Sequence, residues 1–278
     1  MEEKGSMLET IIVKLLSANT ISDFLEVWLQ NDLLPPAEQK TMDNYYRSYK
    51  TRFGSYIKRN YCEQTGELMN VLSKLKSPKI LEVGSGCGTE SLWLSLHGAK
   101  VIGIDIDDHL LSAAKSRKEL LETYIKTFLP CTFITKSLLD MDSKEKFDII
   151  WIEQAFHHLE PRKLMFDKIA ELLNKDGYII ISETNAWNPL IQLLLFRLRG
   201  FTTIIEHNGH AWGHERILRS ITLKKEFIKR GITTVSVRYF RILPNLPIAN
   251  KIGFIDKMVP KFCLPLFTHY NYVGKNNQ

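Results

Sequence analysis

The stretch ILEVGSGCGTE, from Ile80 to Glu90, contains the most informative pattern in this 278-residue chain. Its apolar start predicts a buried strand at residues 79–83, and three glycines at alternate positions then predict a sharp turn into a helix near Thr89. Because glycine has no Cβ, a ligand can approach the backbone of such a turn closely. The turn consists of Gly84, Ser85, Gly86, Cys87 and Gly88.

A second apolar run, VIGID at residues 101–105, predicts another buried strand that ends in Asp105. The carboxyl ends of adjacent parallel strands meet at one edge of a sheet, so the glycine turn and Asp105 are expected to lie side by side. Together they predict a pocket for a cofactor that carries a nucleoside.

The spacing of the glycines indicates which kind of cofactor the turn would bind. The dinucleotide fingerprint is G-x-G-x-x-G, whereas here Gly88 comes one position too early and Thr89 stands where the fingerprint has glycine or alanine. Glu82, two positions before the first glycine, would repel a phosphate. The pattern therefore favours a cofactor with a cationic amino group and disfavours a nicotinamide oxidoreductase.

Glu82 to Gly88 resemble motif I of the class I S-adenosylmethionine-dependent methyltransferases, E/D-x-G-x-G-x-G. The resemblance covers roughly residues 60–278. It implies that the turn holds the methionine part of S-adenosylmethionine, and that Asp105 accepts hydrogen bonds from the ribose hydroxyls. S-adenosylhomocysteine would be the product.

The alternation of apolar runs and helical patterns predicts an α/β fold with a parallel sheet. The resemblance implies a Rossmann-like, mostly parallel sheet of seven strands with helices on both faces. Its last strand, residues 271–273, would be antiparallel and lie beside the sixth. The remaining strands are predicted at residues 131–135, 147–153, 178–183 and 232–240, with helices at about 109–127, 162–173 and 223–230.

Two segments fall outside this pattern. Residues 1–60 are predicted to form an N-terminal helical segment that acts as a lid over the cofactor. Residues 61–278 would form the methyltransferase core, and residues 185–222, after strand five, would be an insertion that caps the substrate. The sequence contains no internal repeat and no low-complexity segment.

Further cofactor contacts are implied by the resemblance. The family commonly has an acid after strand three that binds the adenine amino group, and Ser137 takes that place here, with Leu138 lining the adenine pocket. Ile106 follows the ribose-binding acid. Glu153 and Gln154, at the end of strand four, would touch the amino group of the cofactor or the substrate.

Tyr45, Tyr46 and Arg52 lie in the part of the N-terminal segment that resembles the lead-in closing over the cofactor in this family. There an aromatic or arginine side chain reaches the methionine carboxylate. The alternative is an aromatic stripe that packs a helix onto the core.

Three histidines are candidate general bases, because an imidazole titrates near neutral pH. His157 follows strand four and is the favoured base of the pair His157 and His158, which can instead pack and cap the next helix. His210 and His214 lie in the insertion, where they would contact substrate, bind a metal or occupy a surface loop. Gly209 and Gly213 oppose the regular helix that a metal site at this spacing would need, so we predict no metal.

The composition is that of a soluble globular protein, with 44% hydrophobic and 24% charged residues. The sequence shows no apolar stretch long enough for a membrane span and no signal-peptide pattern, and its four cysteines are scattered. We therefore expect reduced thiols and a cytoplasmic protein.

The net charge of +6 is unevenly distributed, because residues 191–278 contain 14 Lys and Arg against 4 Asp and Glu. This basic excess favours an anionic substrate, a lipid surface or nucleic acid, or it is a solvated face. The apolar residues 190–201 would form a buried cap helix, line a substrate pocket or touch a membrane surface.

These patterns predict an S-adenosylmethionine-dependent methyltransferase that acts on a small molecule, at oxygen or nitrogen rather than carbon. The acceptor would be apolar or linked to a lipid or glycan. One alternative is an RNA or protein methyltransferase that uses the basic C-terminal region, although nucleic acid is the less favoured partner. The other is a non-catalytic cofactor-binding protein. The sequence makes no prediction of oligomeric state.

Overall fold

A seven-stranded sheet forms the centre of the protein. The computed structural model describes residues 2–193, 204–207, 210–214 and 217–278, with side chains described for residues 7–193 and 217–278. The strands of this sheet are β1 (Lys79–Val83), β2 (Lys100–Asp105), β3 (Cys131–Thr135), β4 (Phe147–Glu153), β5 (Leu173–Thr184), β8 (Ile232–Phe240) and β9 (His269–Asn276), and a separate hairpin consists of β6 (Ile204–His207) and β7 (His210–His214).

The order of the strands in the large sheet is β3-β2-β1-β4-β5-β9-β8. β9 runs antiparallel to both of its neighbours, and the other six strands are parallel to one another. The predicted Rossmann-like fold with an antiparallel last strand is therefore confirmed. β5 begins earlier than predicted, because Leu173 already pairs with Phe147 before an irregularity in the register.

Helices cover both faces of the sheet. Their bounds are α1 (Glu2–Leu16), α2 (Ile21–Gln30), α3 (Pro36–Tyr45), α4 (Arg47–Lys50), α5 (Ser55–Leu72), α6 (Thr89–Leu96), α7 (Asp108–Ile125), α8 (Arg162–Leu172), α9 (Ser220–Ile228), α10 (Ala249–Ile252) and α11 (Ile255–Met258).

Residues of β4 show why the sheet is buried on both sides. Alternate side chains of a strand point to opposite faces, and Trp151 packs in the core on one face while Ile150 and Ile152 pack in the core on the other. All three are fully buried. A continuous apolar run such as FDIIWIE is the pattern expected of a central parallel strand.

The N-terminal helices pack against the sheet and contribute side chains to its core. Phe24 and Trp28 of α2 are fully buried, and the guanidinium of Arg117 lies 4.4 Å from the centre of the Trp28 ring. Arg117 also donates from Nη1 to the carbonyl of Cys87 at 2.6 Å and to the hydroxyl of Thr89 at 2.9 Å. This side chain therefore joins α2 to the glycine turn. Opening of the N-terminal segment as a lid stays a prediction.

Residues 241–268 form an excursion between β8 and β9 that the sequence analysis did not predict. It contains α10 and α11 and is fixed to α5, where the amide of Asn250 accepts from the backbone N–H of Tyr56 at 2.9 Å. In the part of the chain that the structure describes, we find no helix with the length and apolar character needed to cross a bilayer.

Candidate active site

The glycine turn leaves β1 with three residues of positive φ. Gly84 has φ 75° and Gly86 has φ 50°, values in the left-handed region that side chains rarely adopt. A Cβ on Gly84 would lie 2.5 Å from the Cβ of Ala155, and a Cβ on Gly86 would collide with the hydroxyl of Tyr45. The turn thus needs glycine for both its conformation and its close contacts.

Asp105 holds the glycine turn from the end of β2. Its Oδ2 accepts from the backbone N–H of Gly86 at 2.9 Å, and its Oδ1 accepts from that of Asp107 at 3.0 Å. Burial raises the pKa of the Asp105 carboxyl above its ordinary value, although the two N–H groups oppose the rise. Each carboxylate oxygen keeps a further lone pair for a ligand.

A cavity of about 890 Å³ opens beside this turn, at the carboxyl ends of β1, β2 and β4. This is the edge at which open α/β sheets bind ligands. Six of the residues predicted to bind the cofactor line it together: Gly84, Asp105, Ile106, Ser137, Leu138 and Glu153. The hydroxyl of Ser137 also accepts from the backbone N–H of Leu139 at 3.3 Å, which places it at the start of a short helical turn.

Four other predicted residues lie behind the cavity wall. Ser85, Gly86 and Gly88 shape the turn, and Glu82 is buried beneath it, where the hydroxyl of Ser91 donates to its carboxylate. Burial raises the pKa of Glu82 well above its ordinary value, and the nearby carboxylate of Glu90 raises it further.

The N-terminal segment contributes a wall, and of its three predicted residues Tyr45 alone lines it. Lys40, Thr41, Asn44 and Tyr45 of α3 line the cavity together with Arg47. Their helical spacing places the α3 residues on one face of that helix. This spacing is the signal that could have identified them in the sequence.

Tyr46 and Arg52 do not line the cavity. Tyr46 is 5% exposed, and its hydroxyl lies 2.6 Å from that of Thr89, so it packs α3 and α4 onto the core. The Arg52 guanidinium donates to the carbonyl of Asn245 at 3.2 Å, on another surface. The aromatic-stripe alternative describes the position of Tyr46.

Glu153 and Gln154 form the part of the cavity wall at the end of β4. Burial raises the pKa of the Glu153 carboxyl well above its ordinary value, and the carboxylate of Glu90 raises it further. Gln154 has φ 45°, and its Oε1 accepts from the hydroxyl of Thr184 at 3.0 Å. Its buried Nε2 finds no partner within the described part of the protein. A buried amide donor at the cavity wall suits a polar ligand group.

His157 is held by a carboxylate that the sequence analysis missed. Its Nδ1 lies 2.9 Å from Oε1 of Glu183, whose side chain is 1% exposed. The neighbouring His158 lines the cavity, whereas His157 lies outside its wall. An acid at the carboxyl end of β5 was the available signal, because that end lies next to the residues that follow β4.

Of the two candidate bases in the insertion, the structure describes the backbone alone. His210 and His214 begin and end β7, which runs beside the turn that contains His157. Their side chains lie outside the described residues, as do residues 194–203 of the apolar stretch. Their role stays a prediction.

Comparison with known proteins agrees with this geometry. Residues 81–181 match the family model described as "Methyltransferase domain". A ubiquinone biosynthesis O-methyltransferase of Nitrobacter winogradskyi is 28% identical over 177 residues, which are 64% of this chain and 65% of that protein. A second protein of that name, from Bradyrhizobium diazoefficiens, is 25% identical over 47% of this chain and 49% of its own length. The chain thus spans about half to two thirds of these curated relatives.

Solved structures resemble the fold over a larger share of the chain. The magnesium protoporphyrin IX methyltransferase of Synechocystis, solved with S-adenosylhomocysteine, matches with a TM-score of 0.58 and 16% identity, over 85% of this chain and 94% of that one. An S-adenosylmethionine-dependent methyltransferase of Clostridium acetobutylicum matches with a TM-score of 0.57 and 13% identity, over 86% and 99%.

The sheet, the glycine turn and the cavity define a Rossmann-like cofactor-binding domain. Within that class, residues 81–181 match the methyltransferase domain family, in agreement with the resemblance of the sequence to the class I S-adenosylmethionine-dependent methyltransferases.

Proposed function

We propose that this protein transfers a methyl group from S-adenosylmethionine to a hydroxyl oxygen of a small molecule. The observation that carries this proposal is the 2.9 Å hydrogen bond between Asp105 and the N–H of Gly86, at the wall of a cavity of about 890 Å³. It joins the two motifs that the family uses for this cofactor. The cofactor supplies a methyl group on a cationic sulfur.

The residues of the cavity wall suit that cofactor. Asp105 would accept from the ribose hydroxyls, and Ser137 with Leu138 would contact the adenine. Glu153 would face the amino group. Lys40 and Arg47, which line the wall formed by the N-terminal segment, would offer positive charge to the methionine carboxylate.

Methyl transfer needs the acceptor, the methyl carbon and the sulfur in line, and orientation of this kind is worth about 7–11 kcal/mol in favourable cases. A base is needed where the acceptor carries a proton. His157, held at Nδ1 by the buried Glu183 and lying outside the cofactor cavity, would take that proton at its other nitrogen from an acceptor bound beside that cavity. His210 and His214 are further candidates. The names of the relatives, ubiquinone biosynthesis O-methyltransferases, support oxygen as the acceptor atom.

Two measurements test this proposal on the full chain. Calorimetry with S-adenosylmethionine should show binding, and an Asp105→Ala variant should bind much more weakly. Release of S-adenosylhomocysteine should then be measured with alkylated catechols and, as a matched nitrogen series, the corresponding phenylenediamines. Turnover with the catechols supports the proposal. Cofactor binding with turnover of the diamines alone would contradict an oxygen acceptor, and no cofactor binding would contradict the whole proposal.

A further inference from the structure

Large apolar side chains are exposed along the excursion between β8 and β9. Phe262 is 82% exposed and Met258 is 70% exposed. The others are 47–57% exposed. The whole set is Leu246, Ile248, Phe254, Met258, Phe262 and Leu266. Exposed apolar side chains that gather in one patch of a protein surface mark interaction sites.

The opposite side of the excursion is attached to α5. Ala249 is 1% exposed, the backbone of Gly253 lies directly against the Tyr56 ring, and Asp256 accepts from Arg59 at 2.9 Å. The spacing of these three inner residues, four and then three positions, is that of one helical face. Lys251 and Phe254, exposed residues that lie between them, therefore face outward on a fixed support.

The outer face also carries positive charge. Lys251, Lys257 and Lys261 are exposed, and Asp256 is the one acidic residue in the sequence of residues 241–268. The Asp256 side chain is 6% exposed and paired with Arg59, so its charge is compensated inside the protein. We call these three lysines and the six exposed apolar residues the apolar–basic surface.

We propose that the apolar–basic surface binds an anionic lipid bilayer. Aromatic and aliphatic side chains that project between lysines suit the boundary between acyl chains and anionic headgroups. Lysine can also extend its ammonium toward the headgroups while its stem follows the apolar residues. A protein partner fits this composition less well, because lysine is depleted in protein–protein interfaces.

The excursion that carries this surface starts and ends at the edge of the sheet where the cavity opens. The excursion leaves β8 at Phe240 and enters β9 at His269, and these two residues pair with each other. His269 also pairs with Thr184 at the carboxyl end of β5. Lipid binding by the excursion would thus attach the protein to the membrane through a segment anchored at the carboxyl edge of the sheet, whatever the acceptor is.

Sedimentation with vesicles of phosphatidylglycerol and phosphatidylcholine tests this proposal on the full chain. The wild type should sediment with the mixed vesicles, bind phosphatidylcholine alone far less, and lose binding in about 1 M salt, where the Debye length is about 3 Å. Combined Lys251→Glu, Lys257→Glu and Lys261→Glu changes should weaken binding about 100-fold or more, from roughly fivefold for each lysine. Combined Phe254→Ser, Met258→Ser and Phe262→Ser changes should weaken it more than about tenfold.

Matched controls lie at the amino edge of the sheet. Phe128→Ser replaces a side chain that is 88% exposed, and Lys100→Glu, Lys126→Glu and Lys144→Glu reverse three exposed lysines. These controls should leave vesicle binding unchanged, and thermal unfolding should show that all the variants fold. Absence of vesicle binding by the wild type, or equal losses in the controls, would overturn the proposal. So would self-association of the wild type that the serine variants abolish without any vesicle binding.

Discussion

The carboxylate of Asp105 accepts a 2.9 Å hydrogen bond from the backbone N–H of Gly86, so the acid that ends β2 holds the turn that follows β1. The same carboxylate lines the cavity. A single side chain therefore supports the shape of the turn and offers its remaining lone pairs to a ligand.

Asp105→Ala should weaken S-adenosylmethionine binding about 100-fold or more, because hydrogen bonds to a charged group are worth about 1.5–3 kcal/mol each. Calorimetry measures the dissociation constant directly. Asp108→Ala, which removes an exposed acid three positions later, is the matched control and should bind as the wild type does. Equal affinities of the Asp105 variant and the wild type would contradict the proposed ribose contact.

Gly84→Ala should destabilise the protein by more than Gly98→Ala. Both glycines have positive φ, and strain of this kind costs about 1–3 kcal/mol. At Gly98 nothing lies within 4 Å of a new Cβ, whereas at Gly84 the new Cβ meets Ala155. Denaturant unfolding of the two variants measures the difference. Equal losses would mean that the contact with Ala155 relaxes without cost.

Much of the fold could be predicted because its signals are local. Apolar runs at residues 79–83, 131–135, 147–153 and 232–240 coincide with strands, since a buried strand carries its pattern in its own residues. The excursion at 241–268 could not be predicted in this way. It is held by residues far away in the chain, such as Tyr56 with Asn250, and no local period shows such pairs.

The residues of the candidate site also differ in whether a local sequence signal or a contact between distant residues defines them. Asp105 could be identified because it ends a strand at a known distance from a glycine turn. The choice between Tyr45 and Tyr46 could not be made, since adjacent residues on a helix point about 100° apart and the docking of α3 decides which one faces the cavity. Glu183 was missed because its partner, His157, follows a different strand.

Arg117→Lys should lower the free energy of unfolding by about 3 kcal/mol. Lysine lacks the planar guanidinium that reaches Cys87 and Thr89. Loss of the guanidinium leaves the buried carbonyl of Cys87 without its hydrogen-bond donor. Urea unfolding measures the change. Arg52→Lys, the same substitution at an exposed arginine, should stay within about 0.5 kcal/mol of the wild type. Similar effects at both positions would contradict the bridging role of Arg117.

Glu82→Gln should gain stability relative to the wild type as the pH rises. The pKa of Glu82 is raised well above 4.5 by burial, so the unfolded chain releases this proton at lower pH than the folded protein does. The free energy of unfolding of the wild type therefore falls by up to about 1.4 kcal/mol per pH unit between pH 4.5 and the raised pKa of Glu82. That of the glutamine variant does not fall in this way. Urea unfolding from pH 4 upward tests the sign, with the exposed Glu119→Gln as control. A difference in unfolding free energy between the variant and the wild type that stays constant across this pH range would contradict the prediction.

Glu183→Gln should lower kcat about 100-fold near neutral pH while leaving the affinity for S-adenosylmethionine unchanged. Its carboxylate holds Nδ1 of His157 at 2.9 Å and stabilises the imidazolium that forms when the other nitrogen takes a proton. The loss should shrink at high pH, where an acidic acceptor hydroxyl ionises without a base. Stopped assays with the acceptor found in the catechol series measure kcat against pH, and calorimetry measures cofactor binding. His97→Ala, which removes an imidazole stacked on Trp93 away from the cavity, should keep the wild-type profile. A pH-independent loss in Glu183→Gln would indicate a structural role for the pair and contradict His157 as the base.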